Sequence, residues 1–227
     1  MDYVITAPTA ATLPVKGEDA AFPIHRIYCV GRNYAAHTVE MGGDPDRDPP
    51  FFFQKNPDNI VLDGRFPYPA KSNDVHHEIE VVVALKSGGT NIAVEDALGH
   101  VYGYGLALDM TRRDLQGEMK KLGRPWEIGK AFEKSCPCTS LIKAADIGHP
   151  DHGAIWLDVN GERRQEGDID HMIWKVPEMI AYLSELFVLA PGDLILSGTP
   201  SGVAAVKRGD HLVGHADHIG DLDVEVV

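Results

Sequence analysis

Short runs of β-branched and aromatic residues recur along this chain and predict a protein built mainly of strands. The runs with the clearest strand character are residues 24–30, 51–55, 78–85, 101–109, 154–159 and 193–196, followed by closing strands within 210–227. The dipeptide Asn160-Gly161 comes directly after the run 154–159 and is a strong signal for a two-residue hairpin turn.

Stretches with helical periodicity are few and short. Residues 35–41, 112–122 and 178–189 are each followed closely by glycine or proline, which end helices, and residues 94–98 suggest a further short helix. Because strands and helices do not alternate regularly, the pattern argues against a doubly wound sheet. It predicts a mixed α/β fold that is mainly β.

The length of 227 residues is that of one large domain or of one domain with a small appendage. We expect residues 1–22 to form an N-terminal arm, with a short strand around residues 3–5, and residues 23–227 to form the main domain. No apolar run approaches the roughly 18 residues needed to span a bilayer, and no positively charged leader precedes an apolar segment. These features predict a cytoplasmic protein.

The formal net charge of −13 limits the classes of partner. No basic block offsets this charge, which argues against a nucleic acid or an anionic membrane as partner. An anionic small molecule would then require local positive charge inside its own binding site.

The run His76-His77-Glu78-Ile79-Glu80 opens an apolar strand and carries the most informative chemistry. Alternate side chains of a strand share a face, so Glu78 and Glu80 point the same way. Burying two unpaired carboxylates is costly, and oxygen ligands suit a hard cation such as Mg²⁺ or Mn²⁺. Asp109 ends a second apolar run and could supply a third oxygen. Alternatively, both glutamates are solvated at a strand end or pair with arginines.

His37 and Glu40 lie three residues apart in a predicted helical turn, which puts them on one face. A carboxylate in that position can orient an imidazole and raise its basicity, so the pair could activate a water molecule. The alternative is an ordinary surface salt bridge. For His215 and His218 we expect a solvated hairpin rather than a metal site, because no clear third ligand accompanies them.

Positive charge is concentrated in two other segments. Arg112 and Arg113 could clamp a carboxylate in a bidentate fork, or could simply neutralise nearby acids. Lys130 lies among apolar and glycine residues, where it is either buried with an anionic partner or extended along the surface with its charge in water. The glycine-bracketed loop 197–202 could offer backbone N–H groups and a hydroxyl to a carboxylate.

Taken together, these motifs resemble the fumarylacetoacetate hydrolase family from about residue 24 to the C-terminus. The matching stretches are residues 28–34, 76–80, 108–114, 160–161, Gln165 and 197–202. Within the family, residues 51–55, 112–116, 129–132 and 172–174 resemble bacterial fumarylpyruvate hydrolases of gentisate breakdown.

The resemblance implies a rolled β-sandwich or barrel with short flanking helices, usually assembled as a homodimer. One divalent cation per subunit, Mg²⁺ or Mn²⁺, would be held by Glu78, Glu80 and Asp109. The substrate would be a small anionic 2,4-dioxo acid.

The resemblance also implies roles for the remaining residues. His37 would be the general base, oriented by Glu40 on a segment that acts as a mobile lid in relatives. Lys130 and Gln116 would polarise or stabilise the reacting oxygen.

Substrate binding would fall to Arg113, Gly198 and Thr199, the last through its backbone N–H or its hydroxyl. Relatives often continue this loop with Gly-Val-Gly-Pro, whereas this chain has Gly-Val-Ala-Ala at 202–205.

The implied reaction is hydrolysis of fumarylpyruvate to fumarate and pyruvate. The alternatives within the family are oxaloacetate decarboxylation, hydrolysis of another acylpyruvate and isomerisation of a dienoate. A non-catalytic metal-binding protein on the same fold is the alternative from a different functional class.

Overall fold

The computed structural model describes residues 3–40 and 48–227, and the features below refer to that part of the chain. The predicted end of the first helix at Met41 and the predicted break at 42–46 lie outside the described residues.

The described part is richer in strand than in helix, as the sequence pattern predicts. The strands are β1 Thr12–Leu13, β2 Phe22–Pro23, β3 Arg26–Gly31, β4 Phe51–Lys55, β5 Ile60–Val61, β6 Arg65–Phe66, β7 Val75–His76, β8 Ile79–Leu85, β9 Val101–Leu108, β10 Thr111–Arg112, β11 Cys136–Pro137, β12 Ile142–Lys143, β13 Ala154–Val159, β14 Glu162–Asp168, β15 Asp193–Leu196, β16 Ala205–Val206, β17 His211–Ala216 and β18 Gly220–Val226. The helices are α1 Ala35–Glu40, α2 Val94–Ala97, α3 Arg113–Lys121, α4 Glu127–Lys130, α5 Ala144–Ile147 and α6 Val176–Leu186, with 3₁₀ turns at Pro57–Asn59, Leu98–His100 and Ile169–His171.

Two sheets carry most of the strands. The larger has the order β12-β9-β8-β15-β3-β4, and the smaller has the order β14-β13-β17-β18-β6. In the larger sheet β15 pairs antiparallel with β8 but parallel with β3. This arrangement places the end of β15 between the start of β8 and the end of β3, where the predicted site residues lie.

The two sheets share one hydrophobic core. Every residue of β8 is buried, because both faces of this central strand are covered, and its apolar composition follows from that position. Strand β13 instead alternates between inward and partly exposed positions, as expected for a strand with one solvated face. Ile79 and Val81 of β8 belong to the same apolar cluster as Ile155 and Leu157 of β13.

The strand predictions for 24–30, 51–55, 78–85, 101–109, 154–159, 193–196 and the closing strands are confirmed to within a few residues. Asn160 and Gly161 both have positive φ, at 54° and 81°, as a type I′ hairpin requires. The strand predicted around residues 3–5 is wrong, since these residues are exposed and outside any strand. Leu13 of β1 and Phe22 of β2 instead pack in a second apolar cluster, together with Ile27 and Val82 of the larger sheet.

The helix predictions are also confirmed, with shifted ends. The helix predicted at 178–189 begins earlier and ends earlier, as α6 Val176–Leu186. With 11 residues it is the longest of the described helices, well below the roughly 20 that a bilayer requires. The mainly β class with short flanking helices is therefore confirmed.

Candidate active site

Three carboxylates meet where β8 begins and β9 ends. The two strands are antiparallel neighbours with Ile79 opposite Leu108, and the Asp109 backbone N–H donates to the Glu78 carbonyl at 2.8 Å. One oxygen from each of Glu78, Glu80 and Asp109 lies within 4.8 Å of the other two, and all three residues are buried. The predicted ligand set is thus brought together by a single pair of strands.

Two buried lysines neutralise part of this charge. The Lys130 ammonium donates to Glu78 Oε2 and to Asp109 Oδ2, each at 2.7 Å, and Lys130 is only 2% exposed. Lys130 is therefore a buried ion-paired lysine, not one that extends to the surface. The Lys55 ammonium lies 2.8 Å from Asp109 Oδ1 and donates to Ser135 Oγ at 2.9 Å.

Lys55 is a site residue that the sequence reasoning missed. It ends β4, two residues after the last of three phenylalanines, and its side chain is fully buried. A signal was available in the sequence, because a lysine at the end of an apolar extended segment needs an anionic partner if it is buried.

Arg113 and Gln116 occupy adjacent positions on the cleft face of α3. One Arg113 amino group donates to Glu78 Oε1 and the other donates to Gln116 Oε1 at 2.6 Å. Arg112 lies elsewhere, with its guanidinium carbon 4.3 Å from the centre of the Phe132 ring. Of the two predicted arginines, Arg113 therefore contacts the carboxylate cluster and Arg112 does not.

Glu80 differs from the other two carboxylates. Within the described residues, no lysine, arginine or histidine lies within ion-pair distance of it, and its Oε2 accepts only the Gly198 backbone N–H at 2.8 Å. Burial, with the charges of Asp109 and Glu78, raises the pKa of Glu80 well above its ordinary value. Burial alone would also raise the pKa of Glu78, but Lys130 and Arg113 hold it well below its ordinary value.

These observations test whether the residues fit a divalent cation. Three oxygen donors converge in a buried position, and one of them lacks a cationic partner among the described residues. An all-carboxylate donor set suits Mg²⁺ or Mn²⁺ rather than a soft metal. The site therefore fits a hard divalent cation.

The histidine–carboxylate pair lies on α1, beside this cluster. His37 Nδ1 is 3.1 Å from Glu40 Oε2, as the helical spacing predicts. His37 is only 6% exposed, so the pair is not an ordinary surface salt bridge. The Gly202 backbone N–H donates to the Glu40 carboxylate at 3.1 Å, which ties α1 to the loop after β15.

The loop after β15 has a conformation that requires glycine at two positions. Gly198 has φ +92°, and a Cβ there would lie 2.7 Å from Asn33 Cβ. Gly202 has φ +95°, and a Cβ there would lie 1.9 Å from the Arg164 carbonyl oxygen. Both residues therefore resist substitution for conformational and steric reasons. After Gly202 the chain leads into β16, where Ala205 pairs with His76 of β7.

A fully buried polar chain supports this loop from the second sheet. Gln165 of β14 is 0% exposed and donates from Nε2 to Thr199 Oγ1 and to the Pro200 carbonyl, each at 2.8 Å. Its Oε1 accepts from the Ile79 backbone N–H at 3.1 Å and lies 2.8 Å from His77 Nδ1. Burial lowers the pKa of His77.

Many of these groups border one cleft, whose space is about 490 Å³ when the solvent at its mouth is included. Of the predicted site residues, the lining includes His37, Glu78, Glu80, Arg113, Gln116, Lys130 and Thr199. Glu40, Asp109 and Gly198 lie behind them and contact lining residues or their neighbours. The lining also includes residues that the sequence reasoning did not assign: Arg32, Phe51, Phe53, Lys120 and Trp126.

Comparison with known proteins places the chain among related sequences. Residues 26–227 match the model of the family described as "Fumarylacetoacetate (FAA) hydrolase C-terminal". The chain is similar to the structure of a fumarylpyruvate hydrolase from Pseudomonas aeruginosa in complex with Mn²⁺ and pyruvate. The TM-score is 0.98 at 50% sequence identity, covering 100% of this chain and 99% of that one.

Curated relatives have different names. Oxaloacetate tautomerase YcgM of Escherichia coli (strain K12) is 42% identical over 194 residues, which covers 84% of this chain and 88% of the relative. The mitochondrial oxaloacetate decarboxylase of Dictyostelium discoideum is 40% identical over 186 residues, covering 81% and 85%. The comparisons thus agree on the family and differ on the reaction.

Proposed function

Since the chain belongs to the fumarylacetoacetate hydrolase family, we propose that it hydrolyses a carbon–carbon bond of an acylpyruvate, with fumarylpyruvate as its substrate. The observation that carries the proposal is the meeting of two chemistries in one cleft. A buried carboxylate cluster that fits a divalent cation lies beside a histidine–glutamate pair suited to proton transfer. The products would be fumarate and pyruvate.

The distribution of charge along the cleft supports a substrate with a carboxylate at each end. Arg113 and Lys130 supply positive charge beside the carboxylate cluster. Arg32 and Lys120 supply it elsewhere in the lining, where Lys120 is exposed and lies one helical turn beyond Gln116 on α3. These cations suit the far carboxylate of a fumaryl group.

The wall of the cleft also includes an aromatic surface. The Phe51 and Trp126 rings pack edge to face at 5.4 Å, and the Phe53 ring centre lies 5.9 Å from that of Trp126. Such a surface suits an apolar carbon chain between two charged ends, as in fumarylpyruvate. Oxaloacetate also has two carboxylates, but its chain is three carbons shorter and would occupy less of this surface.

The residues of the chain then take the following roles. With Nδ1 engaged by Glu40, His37 would accept a proton from water at Nε2, and the water oxygen would attack the 4-oxo carbon. The bond between carbons 3 and 4 breaks, its electron pair remains on carbon 3 as the enolate of pyruvate, and a proton returns to carbon 3. Lys130 would stabilise the negative charge that develops on the 2-oxo oxygen. A divalent cation held by Glu78, Glu80 and Asp109 would supply Lewis-acid polarisation of the 2-oxo acid when bound.

A second candidate is oxaloacetate chemistry, favoured by the names of relatives 42% and 40% identical to this chain. Tautomerisation needs only a proton moved between carbon 3 and the 2-oxo oxygen, and decarboxylation releases CO₂. Neither reaction needs an attacking water, so the His37–Glu40 pair would only move a proton, from or to carbon 3 in tautomerisation and to carbon 3 after CO₂ leaves in decarboxylation.

The decisive test follows the loss of the enol absorbance of fumarylpyruvate with Mn²⁺ or Mg²⁺, with a chelator as control. We expect metal-dependent decay with equal yields of fumarate and pyruvate. Oxaloacetate is assayed in parallel for enol–keto exchange and for CO₂ release. If the protein turns over oxaloacetate faster and leaves fumarylpyruvate intact, the second candidate replaces the proposal.

A matched pair of variants tests the substrate fit. Lys120→Gln removes a cation that lines the cleft, whereas Lys121→Gln removes its exposed neighbour, which does not line it. We expect Lys120→Gln to raise KM for fumarylpyruvate several-fold with little change in kcat, and Lys121→Gln to leave both unchanged. Equal effects of the two variants would contradict a role for Lys120 in substrate binding.

A further inference from the structure

Gln165 is an inward-facing polar residue on a strand whose other side chains are largely exposed. Its sequence neighbours Arg164 and Glu166 are exposed, whereas Gln165 is fully buried. It lies in the second sheet, yet it bonds to the start of β8 and to the loop after β15, both of which belong to the first sheet. The side-chain hydrogen bonds of Gln165 therefore run to His77, Ile79, Thr199 and Pro200, beside the candidate site.

Two backbone groups fix the direction of the Gln165 amide. The Ile79 N–H can only donate, so the atom that it contacts at 3.1 Å must be the amide oxygen. The Pro200 carbonyl can only accept, so the atom that it contacts at 2.8 Å must be the amide nitrogen. The orientation of this side chain is therefore dictated by its partners.

The fixed amide dictates the hydrogen-bond direction at Thr199. The second N–H of Gln165 donates to Thr199 Oγ1 at 2.8 Å, so the hydroxyl acts as an acceptor in this contact. A hydroxyl has a single proton, and that proton then remains available to a different acceptor. Thr199 is only 2% exposed and lines the cleft, so its hydroxyl can donate this proton to an acceptor on a ligand that binds in the cleft.

We propose that Gln165 is a positioning residue that holds the Thr199 hydroxyl as a hydrogen-bond donor to the carboxylate of a 2-oxo acid. The inference rests on the proposed function, because it takes a 2-oxo acid as the ligand of the cleft. A donor fixed in advance loses less freedom when the ligand binds, and a hydrogen bond to a charged group is stronger than one between neutral groups. Gln165 thus acts through Thr199 and does not contact the substrate.

A structural role for Gln165, joining the two sheets, is the competing explanation, and a double-mutant cycle separates the two. The readout is the Kd of pyruvate for the Mn²⁺-loaded protein by calorimetry, with Mn²⁺ affinity measured separately. Thr199→Val removes the hydroxyl at nearly constant shape, and Gln165→Met removes the amide while keeping its length. Gln54→Met, at an exposed glutamine on β4, is the matched control.

We expect Thr199→Val and Gln165→Met each to raise the pyruvate Kd by about 10- to 100-fold, the range for a hydrogen bond to a charged group. In the Thr199→Val background, Gln165→Met should add less than about 2-fold, because the hydroxyl that it positions is already gone. Gln54→Met should leave the Kd unchanged. Mn²⁺ affinity should remain within about 2-fold throughout.

Two results would overturn the inference. One is a Kd unchanged by Gln165→Met, and the other is an equal loss of affinity with and without the Thr199 hydroxyl. If Gln165→Met lacks a cooperative unfolding transition, Gln165→Glu carries the same cycle, since it keeps an acceptor for Ile79 and lacks the amide donor. Failure of wild-type protein to bind any 2-oxo acid would instead refute the proposed function itself, and with it the ligand assumed here.

Discussion

Two of the acidic clusters in the described part of the chain differ in burial, in geometry and in how their charge is neutralised. In one, Glu78, Glu80 and Asp109 are buried and their oxygens converge within 4.8 Å. In the other, on the hairpin of β17 and β18, His215 Nδ1 lies 2.6 Å from Asp221 and His215 Nε2 lies 3.1 Å from Asp217. In this second cluster Asp221 is largely exposed and Asp217 is about half exposed.

The difference teaches what makes an acidic cluster a candidate metal site. In the hairpin the imidazole ring of His215 lies between the two carboxylates and pairs with both. The carboxylate oxygens therefore do not converge on one position that a cation could occupy. Solvent also screens this cluster, which makes its contribution small. In the cleft, burial makes an unneutralised carboxylate costly, and Glu80 lacks a cationic partner among the described residues. Convergence and an unmet charge, rather than acidity, distinguish the two.

The largest expected effect comes from breaking the buried cluster. Glu80→Gln keeps an acceptor for the Gly198 N–H but removes the charge, so we expect Mn²⁺ affinity to fall by at least about 100-fold and metal-dependent turnover by about 1,000-fold. Calorimetry with Mn²⁺ and the enol-absorbance assay measure these losses. Glu166→Gln, at an exposed position of β14, is the control. Turnover that survives in Glu80→Gln would contradict the assignment of the cluster.

A second variant separates proton transfer from metal binding within the buried site. His37→Asn removes the proposed base, and we expect kcat to fall by about 100-fold or more, the usual scale for a general base. Mn²⁺ affinity should stay unchanged, because His37 is not part of the carboxylate cluster. Calorimetry and steady-state kinetics on the same preparation check both statements. A parallel loss of metal affinity would mean that His37 holds the site together instead.

Adding the metal should stabilise the fold through the buried cluster alone. At a free Mn²⁺ concentration of 100 times its Kd, we expect the free energy of unfolding to rise by about 2.7 kcal/mol. Thermal or urea unfolding with and without a chelator measures the change. His215→Asn should show the same increase as wild type, and Glu80→Gln should show little. An increase retained in Glu80→Gln would place the bound ion elsewhere.

The smallest effect belongs to the exposed cluster. Burial alone would lower the pKa of His215, but hydrogen bonds to Asp221 and Asp217 raise it above its ordinary value. The stabilising contribution is therefore complete below the ordinary histidine pKa of about 6.5 and is lost as the pH rises through the raised value.

His215→Asn should accordingly lower the free energy of unfolding by less than about 1 kcal/mol, and by more at pH 5.5 than at pH 8.5. Urea unfolding of both proteins at the two pH values measures the difference. An equal cost at both pH values would show that stacking of His215 on Trp156, at 5.2 Å between ring centres, dominates over charge, and a larger cost at pH 8.5 would contradict the raised pKa.

Much of this architecture could be predicted from the sequence. Strand positions follow from local runs of apolar residues, and the Asn160-Gly161 turn follows from the need for positive φ at both positions. The sequence also predicts that Glu78, Glu80 and Asp109 lie at strand ends. It predicts the pairing of His37 with Glu40 as well, because helical spacing places the two side chains on one face without information from the rest of the fold.

The rest depends on contacts between distant segments, which no local pattern specifies. Lys55 reaches Asp109, and Gln165 reaches Thr199, only because particular strands become neighbours. Arg112 and Arg113 are indistinguishable in sequence, yet the start of α3 sends their side chains in different directions. The strand expected at 3–5 failed for a related reason, since a short apolar run forms a strand only where a partner strand is available.

The parallel pairing of β15 with β3 has a consequence for how the protein acquires its site. Leu196 lies opposite Cys29, so the pairing closes a loop of more than 160 residues. Closing so long a loop is entropically unfavourable, and chains dominated by such distant contacts fold slowly. The loop with Gly198 and Thr199 meets the α1 segment only once this closure is complete. On a ribosome, therefore, nearly the whole chain must be synthesised before the cleft can exist.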